Sequence, residues 1–406
     1  MKNEFKYIIH PTADEKKDIT KAKAMFPMSC ARDARKFHSR IPGYHMTPLV
    51  ALPNLAHLLG VGGIYVKNES KRLHMNSFKV MGGSYAVYRL IKQILGREDE
   101  DLTFEYLTSP ECHEALGDAV FCSATDGNHG RGLAWVCHKL GLPCKIYVHS
   151  ETSQPRIDAI ASFGAEVTVV DGNYDDAVRQ AADDAAANGW YVVSDTSWPG
   201  YEEIPTWIMQ GYNSIMLEVQ EQFSGLGIVK PSHVFVQAGV GAMAASVVGF
   251  YSAIFPDDPP IFVVVEPDKA PCIYESIAAG DGQCHSVKGD LDTIMAGLAC
   301  GEPCTIGWDV LKGYADAFIR CPEYAAADGM RILAAPAKGD TPVTAGESGA
   351  AAFGCMANIL LDENLAEWKK LLQLDESSRI LCISTEGDTD KQNYQDVVWR
   401  GKYAKA

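Results

Sequence analysis

Short β-branched runs alternate with longer amphipathic runs along almost the whole chain, and this alternation constrains the fold more than any other feature. Strands are predicted at 63–66, 119–123, 145–148, 167–170, 190–193, 233–237, 261–265 and 379–383. Helices are predicted at 80–95, 130–140, 154–163, 174–188, 203–223 and 243–254, with later ones at 346–362 and 367–372. Strand–helix alternation at this spacing specifies an α/β fold with parallel sheet and helices packed on it. The runs KIYVHS, VTVVD, WYVVSD and IFVVVEP have the unbroken apolar look of strands buried on both faces. Eight strands are most simply divided into two lobes of parallel-rich, twisted sheet flanked by helices. Residues 1–88 and 201–406 are expected to form the large domain and 89–200 the small one. Residues 103–115 read as an irregular insertion, and 257–260 and 200–204 as loops.

Composition narrows the function. Of 406 residues, 47% are hydrophobic and 22% charged, which places the chain among ordinary globular proteins. Lys and Arg number 36 against 52 Asp and Glu, a formal net charge of −16. Such a surface repels phosphate backbones and anionic lipid, so neither nucleic acid nor membrane is expected as a partner. The opening residues 1–18 lack an apolar core and do not read as a signal peptide. The longest nearly apolar stretch, 239–255, is short for a membrane span. Twelve scattered cysteines without a CxxC pair or zinc spacing read as reduced thiols of a cytoplasmic protein, with no metal site.

Ligands of such sheets sit beyond the carboxyl ends of the strands, and four segments there carry chemistry. In Asn76-Ser77-Phe78-Lys79 the lysine stands just inside a predicted helix start. The positive end of the helix disfavours an ammonium, and partial burial behind Phe78 adds to this, so a neutral amine suited to imine chemistry is favoured. A solvated lysine is the plain alternative. In Phe121–Gly132, Thr125, Gly127 and Asn128 offer hydroxyl, backbone and amide donors at a helix start. Asp126 is out of place in an anion cradle unless it has a second task or simply caps the helix. In His233–Ser246, Gly239 and Gly241 let backbone N–H groups face a phosphate. The spacing Gly239-x-Gly241-x-x-Ala244, with Glu266 ending the following strand, also fits a dinucleotide fingerprint. In Arg379–Asp390 the strand ends on the neutral hydroxyls of Ser384 and Thr385. There is no GxxxxGK[ST], no HExxH and no nucleophile elbow.

Taken together these segments resemble the fold type II pyridoxal-phosphate enzymes, the tryptophan-synthase-β and threonine-dehydratase group. Ser77-Phe78-Lys79 is similar to the group's Ser-Phe-Lys, and Gly127-Asn128-His129 to its Gly-Asn-His loop. Ala238, Gly239, Val240, Gly241 and Ala242 are similar to its phosphate loop, and Ser384 to the hydroxyl that meets the pyridine nitrogen. The resemblance covers residues 45 to 400. It implies pyridoxal 5′-phosphate as cofactor in a cleft between the lobes, Lys79 as the Schiff-base lysine, Phe78 beside it and Asn128 near the phenolic oxygen. Within the group the chain resembles the diaminopropionate ammonia-lyase family, through Ser123–Gly130, Ser194-Asp195-Thr196 with Trp198, and Ser384–Asp390. Lys391 departs from it, where Pro is expected.

This narrower resemblance implies α,β-elimination of 2,3-diaminopropionate, D and L, to pyruvate and two ammonia, and a homodimer. Asp126 and Asp195 would be its active-site aspartates, with Ser77, Thr125, Asp126, Gly127, Asn128 and Asp195 around the substrate. Lys79 would take the α-proton from one face and Asp126 from the other. The β-amine must leave protonated, so an acid is required; Asp126 could pair with the second ammonium, and Asp195 is the other candidate for holding or protonating it. A serine or threonine dehydratase has no β-ammonium and gains nothing from extra carboxylates; it stands as the same-class alternative. An NAD-dependent dehydrogenase using Gly239, Gly241 and Glu266 stands as the other.

Overall fold

The computed structural model describes residues 4–10, 19–125, 127–172 and 174–405. The chain divides into two compact units, each built on its own sheet.

The larger unit comprises Met1–Ser29, His45–Phe78 and Ile215–Ala406. Among the described residues its sheet has seven strands. In spatial order these are β1 (Lys6–Ile9), β10 (Ala317–Cys321), β9 (Ile261–Pro267), β8 (His233–Gln237), β11 (Arg379–Ser384), β3 (Gly63–Asn68) and β2 (Leu49–Ala51). The five inner strands run parallel, while β1 and β2 pair antiparallel on the two edges. Strand β8 is buried over its whole length and β9 over all but its first residue, as the apolar runs require. The Glu347–Leu361 helix covers this sheet, its face of Ala350–Ala352, Phe353 and Met356 sunk in the main core. Its close partner is the Glu323–Ala334 helix, and only glycine fits at the crossing: a Cβ on Gly354 would lie 1.9 Å from the Ala325 carbonyl oxygen.

The smaller unit comprises Cys30–Tyr44 and Lys79–Ser214. Its four strands are ordered β6 (Glu166–Val170), β5 (Cys144–His149), β4 (Phe121–Ala124) and β7 (Tyr191–Val192), all parallel. The Lys79–Ile94 and Asn128–Leu140 helices pack directly on each other, and a Cβ on Gly132 would come within 3.0 Å of the Val80 backbone.

Every predicted strand is present in this α/β architecture of parallel-rich sheets flanked by helices. The prediction omitted β1, β2 and β10, two of them short edge pieces with little periodicity. Residues 103–115 are not irregular: they form the short helices Phe104–Leu107 and Pro110–Leu116, capped by the side chains of Thr103 and Ser109. The loop expected at 200–204 ends earlier, since the next helix already begins at Glu203.

Candidate active site

In the smaller unit Lys79 opens the Lys79–Ile94 helix. That helix start is held tightly. A Cβ on Gly211 would sit 2.6 Å from the Met81 carbonyl oxygen, and one on Gly82 would sit 2.5 Å from the Tyr212 ring. The buried His38 adds polar ties, with Nε2 3.0 Å from Met81 O and Nδ1 2.7 Å from Ser214 Oγ. The Nζ of Lys79 donates to Oδ2 of Asp195, 116 positions along the chain. Burial pushes the Asp195 carboxyl up, but the Lys79 ammonium and then His129 pull it further down, well below the usual carboxylate range. The field of the helix start, which alone disfavours an ammonium, is thus opposed by a carboxylate, a pairing that the reading of Lys79 as a neutral amine did not include.

Asp195 lies on the segment that follows β7. The hydroxyl of Tyr201 accepts from Ser194 N at 2.9 Å and donates to Val192 O at 2.9 Å, while Trp198 stacks on the Tyr201 ring at 4.3 Å. Thr125 leaves β4 with its amide on Tyr147 O, and its Oγ1 accepts from Gly127 N at 3.3 Å. Gly127 then caps the Asn128–Leu140 helix, whose first-turn N–H groups have no partner within the helix itself. Thr125, Gly127, Asn128, Lys79 and Asp195 are therefore all placed in this unit. Asp126 lies outside the described residues.

In the larger unit the glycine loop follows β8. Gly241 adopts a left-handed conformation (φ +95°) as the cap of the Ala242–Ile254 helix, which favours glycine. A Cβ on Gly239 would meet Cys300 Sγ at 3.0 Å and Gly297 O at 3.2 Å. Ser384 ends the adjacent strand β11, its hydroxyl 3.3 Å from Glu386 O. Gln237 ties the two strand ends together: its Nε2 donates to Ile383 O at 3.0 Å and to Thr385 Oγ1 at 2.9 Å. Phe78 N donates to Thr385 O at 3.0 Å, and Ser77 forms a bridge with Glu386, which brings that segment to the C-terminal end of β11.

Two features escaped the sequence reading. Gln237 is a buried amide one position before the glycine loop, inside the His233–Ser246 segment, yet received no role. His129 sits inside the quoted Gly-Asn-His run yet received no role; its neighbourhood to Asp195 is a tertiary fact. Glu266, by contrast, loses the role that the dinucleotide reading gave it. It is buried and accepts from Ile273 N at 2.8 Å and Tyr274 N at 2.6 Å, capping the Cys272–Ala279 helix. Burial pushes its carboxyl up to about 8 against the pull of those amides. A carboxylate used up in this way does not bind a ribose.

The donors present fit pyridoxal phosphate. A dianionic phosphate suits the backbone N–H groups at Gly239–Ala242, where side chains are excluded from the turn. The Lys79 amine suits an aldehyde, and the neutral Ser384 hydroxyl suits an unprotonated pyridine nitrogen.

Comparison with known proteins agrees. The family model described as pyridoxal-phosphate dependent enzyme matches residues 41–385. Diaminopropionate ammonia-lyase of Salmonella typhimurium is 46% identical over 369 residues, 91% of either chain. The crystal structure of diaminopropionate ammonia-lyase from Escherichia coli in complex with D-serine superposes with a TM-score of 0.90 at 42% identity, covering 99% of this chain and 98% of that one. Threonine deaminase isoform 2 of Solanum lycopersicum shares the fold, with a TM-score of 0.74 at 19% identity over 98% of this chain and 97% of that one. The chain belongs to the pyridoxal-phosphate-dependent enzyme family, and within it to the diaminopropionate ammonia-lyases.

Proposed function

We propose that this enzyme carries out pyridoxal-phosphate-dependent α,β-elimination of 2,3-diaminopropionate, D and L, giving pyruvate and two ammonia. The observation that carries the reading is the Lys79–Asp195 pair at the start of the Lys79–Ile94 helix. It joins an amine able to hold the cofactor with a carboxylate suited to a substrate that bears a second ammonium. Bound pyridoxal phosphate supplies the electron sink that spreads the charge left by α-proton removal.

The residues divide the remaining work. In this reading Gly239, Val240, Gly241 and Ala242, entered from Ala238, hold the phosphate in the larger unit. Ser384 would meet the pyridine nitrogen there and Phe78 would flank the ring. Asn128 would lie near the phenolic oxygen, and Ser77, Thr125, Gly127 and Asn128 would orient the substrate carboxylate. Lys79 receives the α-proton at Nζ from one face and Asp126 from the other. Asp195, as an ionised carboxylate, holds the β-amine in its ammonium form so that it departs as neutral ammonia, because an amide anion does not leave. A homodimer is expected. Twelve free thiols support a reducing compartment, which we read as the cytoplasm; among the described residues no helix is long and apolar enough to cross a membrane.

A substrate panel tests the reading. Pyruvate release from both enantiomers of diaminopropionate should exceed that from serine, and 2-oxobutyrate from threonine should be minor. Asp126→Asn should depress D turnover far more than L. A clear preference for serine would overturn the substrate assignment, and equal losses on both enantiomers would remove Asp126 as a base.

A further inference from the structure

The two ring nitrogens of His129 have unlike surroundings. Nε2 lies 2.8 Å from the carbonyl oxygen of Val193. A carbonyl only accepts, so Nε2 carries the hydrogen. Nδ1 is buried, has no hydrogen-bond partner among the described residues, and lies 4.0 Å from Asp195 Oδ2. That oxygen is the one that receives Lys79 Nζ. In a neutral imidazole the Nδ1 lone pair would face an anion, with no donor among the described residues to satisfy it. In the imidazolium an N–H faces the carboxylate and the contact becomes attractive. The Val193 bond therefore selects the nitrogen through which His129 senses the charge on Asp195. Among the described residues, Lys79 and Tyr201, whose hydroxyl is tied to Ser194 and Val192, also lie beside Asp195.

We infer that His129 is a positioning residue that acts through Asp195: it provides the second positive charge at Oδ2 and holds the carboxylate ionised and oriented whenever the Lys79 nitrogen is engaged elsewhere. This deepens the reading of Asp195 given above and rests on it. An elimination that takes Lys79 away from Asp195 would otherwise leave a mostly buried carboxylate without a cation, a costly arrangement. The imidazole removes that cost without adding a long flexible side chain.

Selective ¹⁵N labelling of the histidines in the full-length protein tests the pairing without reference to turnover. His129→Gln identifies the signal while keeping an amide N–H for Val193 O. The neutral ring should be the Nε2–H tautomer, and Asp195→Asn should shift the Nδ1 resonance of His129 at fixed pH, because the carboxylate that Nδ1 faces is gone. In turnover of diaminopropionate by the holoenzyme, His129→Gln should lower kcat about tenfold with KM within about twofold, and move the acid limb of kcat/KM up by about one pH unit. An Nδ1–H tautomer, an Nδ1 resonance unmoved in Asp195→Asn, or an unchanged pH profile in His129→Gln would overturn the inference. Absence of pyruvate from the wild type would instead refute the elimination reading, and the imidazole resonances would still decide the pairing.

Discussion

Each unit holds a cluster of charged side chains, and the two are built on opposite principles. In the larger unit Lys67, Glu69, Arg72 and Glu218 are fully buried, and their bonds form a closed set. Arg72 donates to both carboxylates, at 2.8 Å each, and Lys67 donates to Glu218 at 2.6 Å, to Thr47 O at 2.8 Å and to Gln222 Oε1 at 3.0 Å. In the smaller unit Lys79 and Asp195 keep 22% and 15% of their side-chain surface exposed, and the Nδ1 of His129 is left without a hydrogen bond among the described residues. Over-determined charge fixes backbone. Under-determined charge can exchange partners and protons. The first cluster sits on the segment that ends at Phe78, where Leu73, His74 and Asn76 all adopt positive φ. Three non-glycine residues in that region cost of order 1–3 kcal/mol each, and persist only where the surroundings impose them. Lys79 follows immediately in the sequence.

The largest expected effect breaks the comparison at its reactive end. Lys79→Ala should lower pyruvate formation from diaminopropionate on the order of a thousandfold or more, abolish borohydride trapping of the cofactor at this position, and leave the urea midpoint close to that of the wild type. A trapped peptide elsewhere in the chain would show that another lysine holds the cofactor. Arg72→Met should do the reverse. It strands Glu69 and Glu218 with only Lys67 nearby, and losing one partner of a buried ionic group costs about 3–5 kcal/mol. Urea unfolding should register that loss, with turnover per folded molecule falling far less than in Lys79→Ala. Equal effects of the two variants on stability would erase the distinction between the clusters.

Acid sharpens the same contrast. Burial pushes the Glu218 carboxyl up, but Arg72 and Lys67 pull it further down, below the ordinary carboxylate range. A depressed carboxylate contributes stability that is fully present above its unfolded pKa and is lost as the pH falls toward its folded one. The Glu218 contribution to the unfolding free energy should therefore be level above about pH 5 and decline below it, by on the order of 2–3 kcal/mol. Glu218→Gln should flatten that limb. A limb unchanged in the variant would assign acid sensitivity to other carboxylates.

Legibility in the sequence followed the same division. The strands that carry the site announced themselves, since β8 and β9 are apolar runs that only a doubly covered sheet accommodates. Lys79 was legible from Ser-Phe-Lys at a helix start, and the glycine loop from the requirement for backbone donors. The ionic scaffold was not: nothing local marks Lys67, Glu69 and Arg72 as buried, and their partner Glu218 lies 146 positions beyond Arg72. His129 was printed in a motif but silent in role, because a role set by Val193 and Asp195 depends on how the segment after β7 closes. That closure depends on Tyr201, which no local pattern marks.

Tyr201→Phe is the mildest test, and it probes how the under-determined cluster is held. The hydroxyl bonds at 2.9 Å to both Ser194 N and Val192 O, so its removal strands one amide beside Asp195. A lost hydrogen bond of this kind costs roughly 1 kcal/mol, and the stacking of Trp198 on the ring is retained in the variant. Global stability should therefore shift little. The freed Ser194 lets Asp195 sample positions away from Lys79 and His129, so kcat should fall severalfold while KM rises, a pattern visible in initial-rate measurements on diaminopropionate. A variant with wild-type kcat and only lowered stability would mean that Asp195 is held by its ion pairs alone. The reactive cluster would then be more self-sufficient than its exposure and its unsatisfied nitrogen indicate.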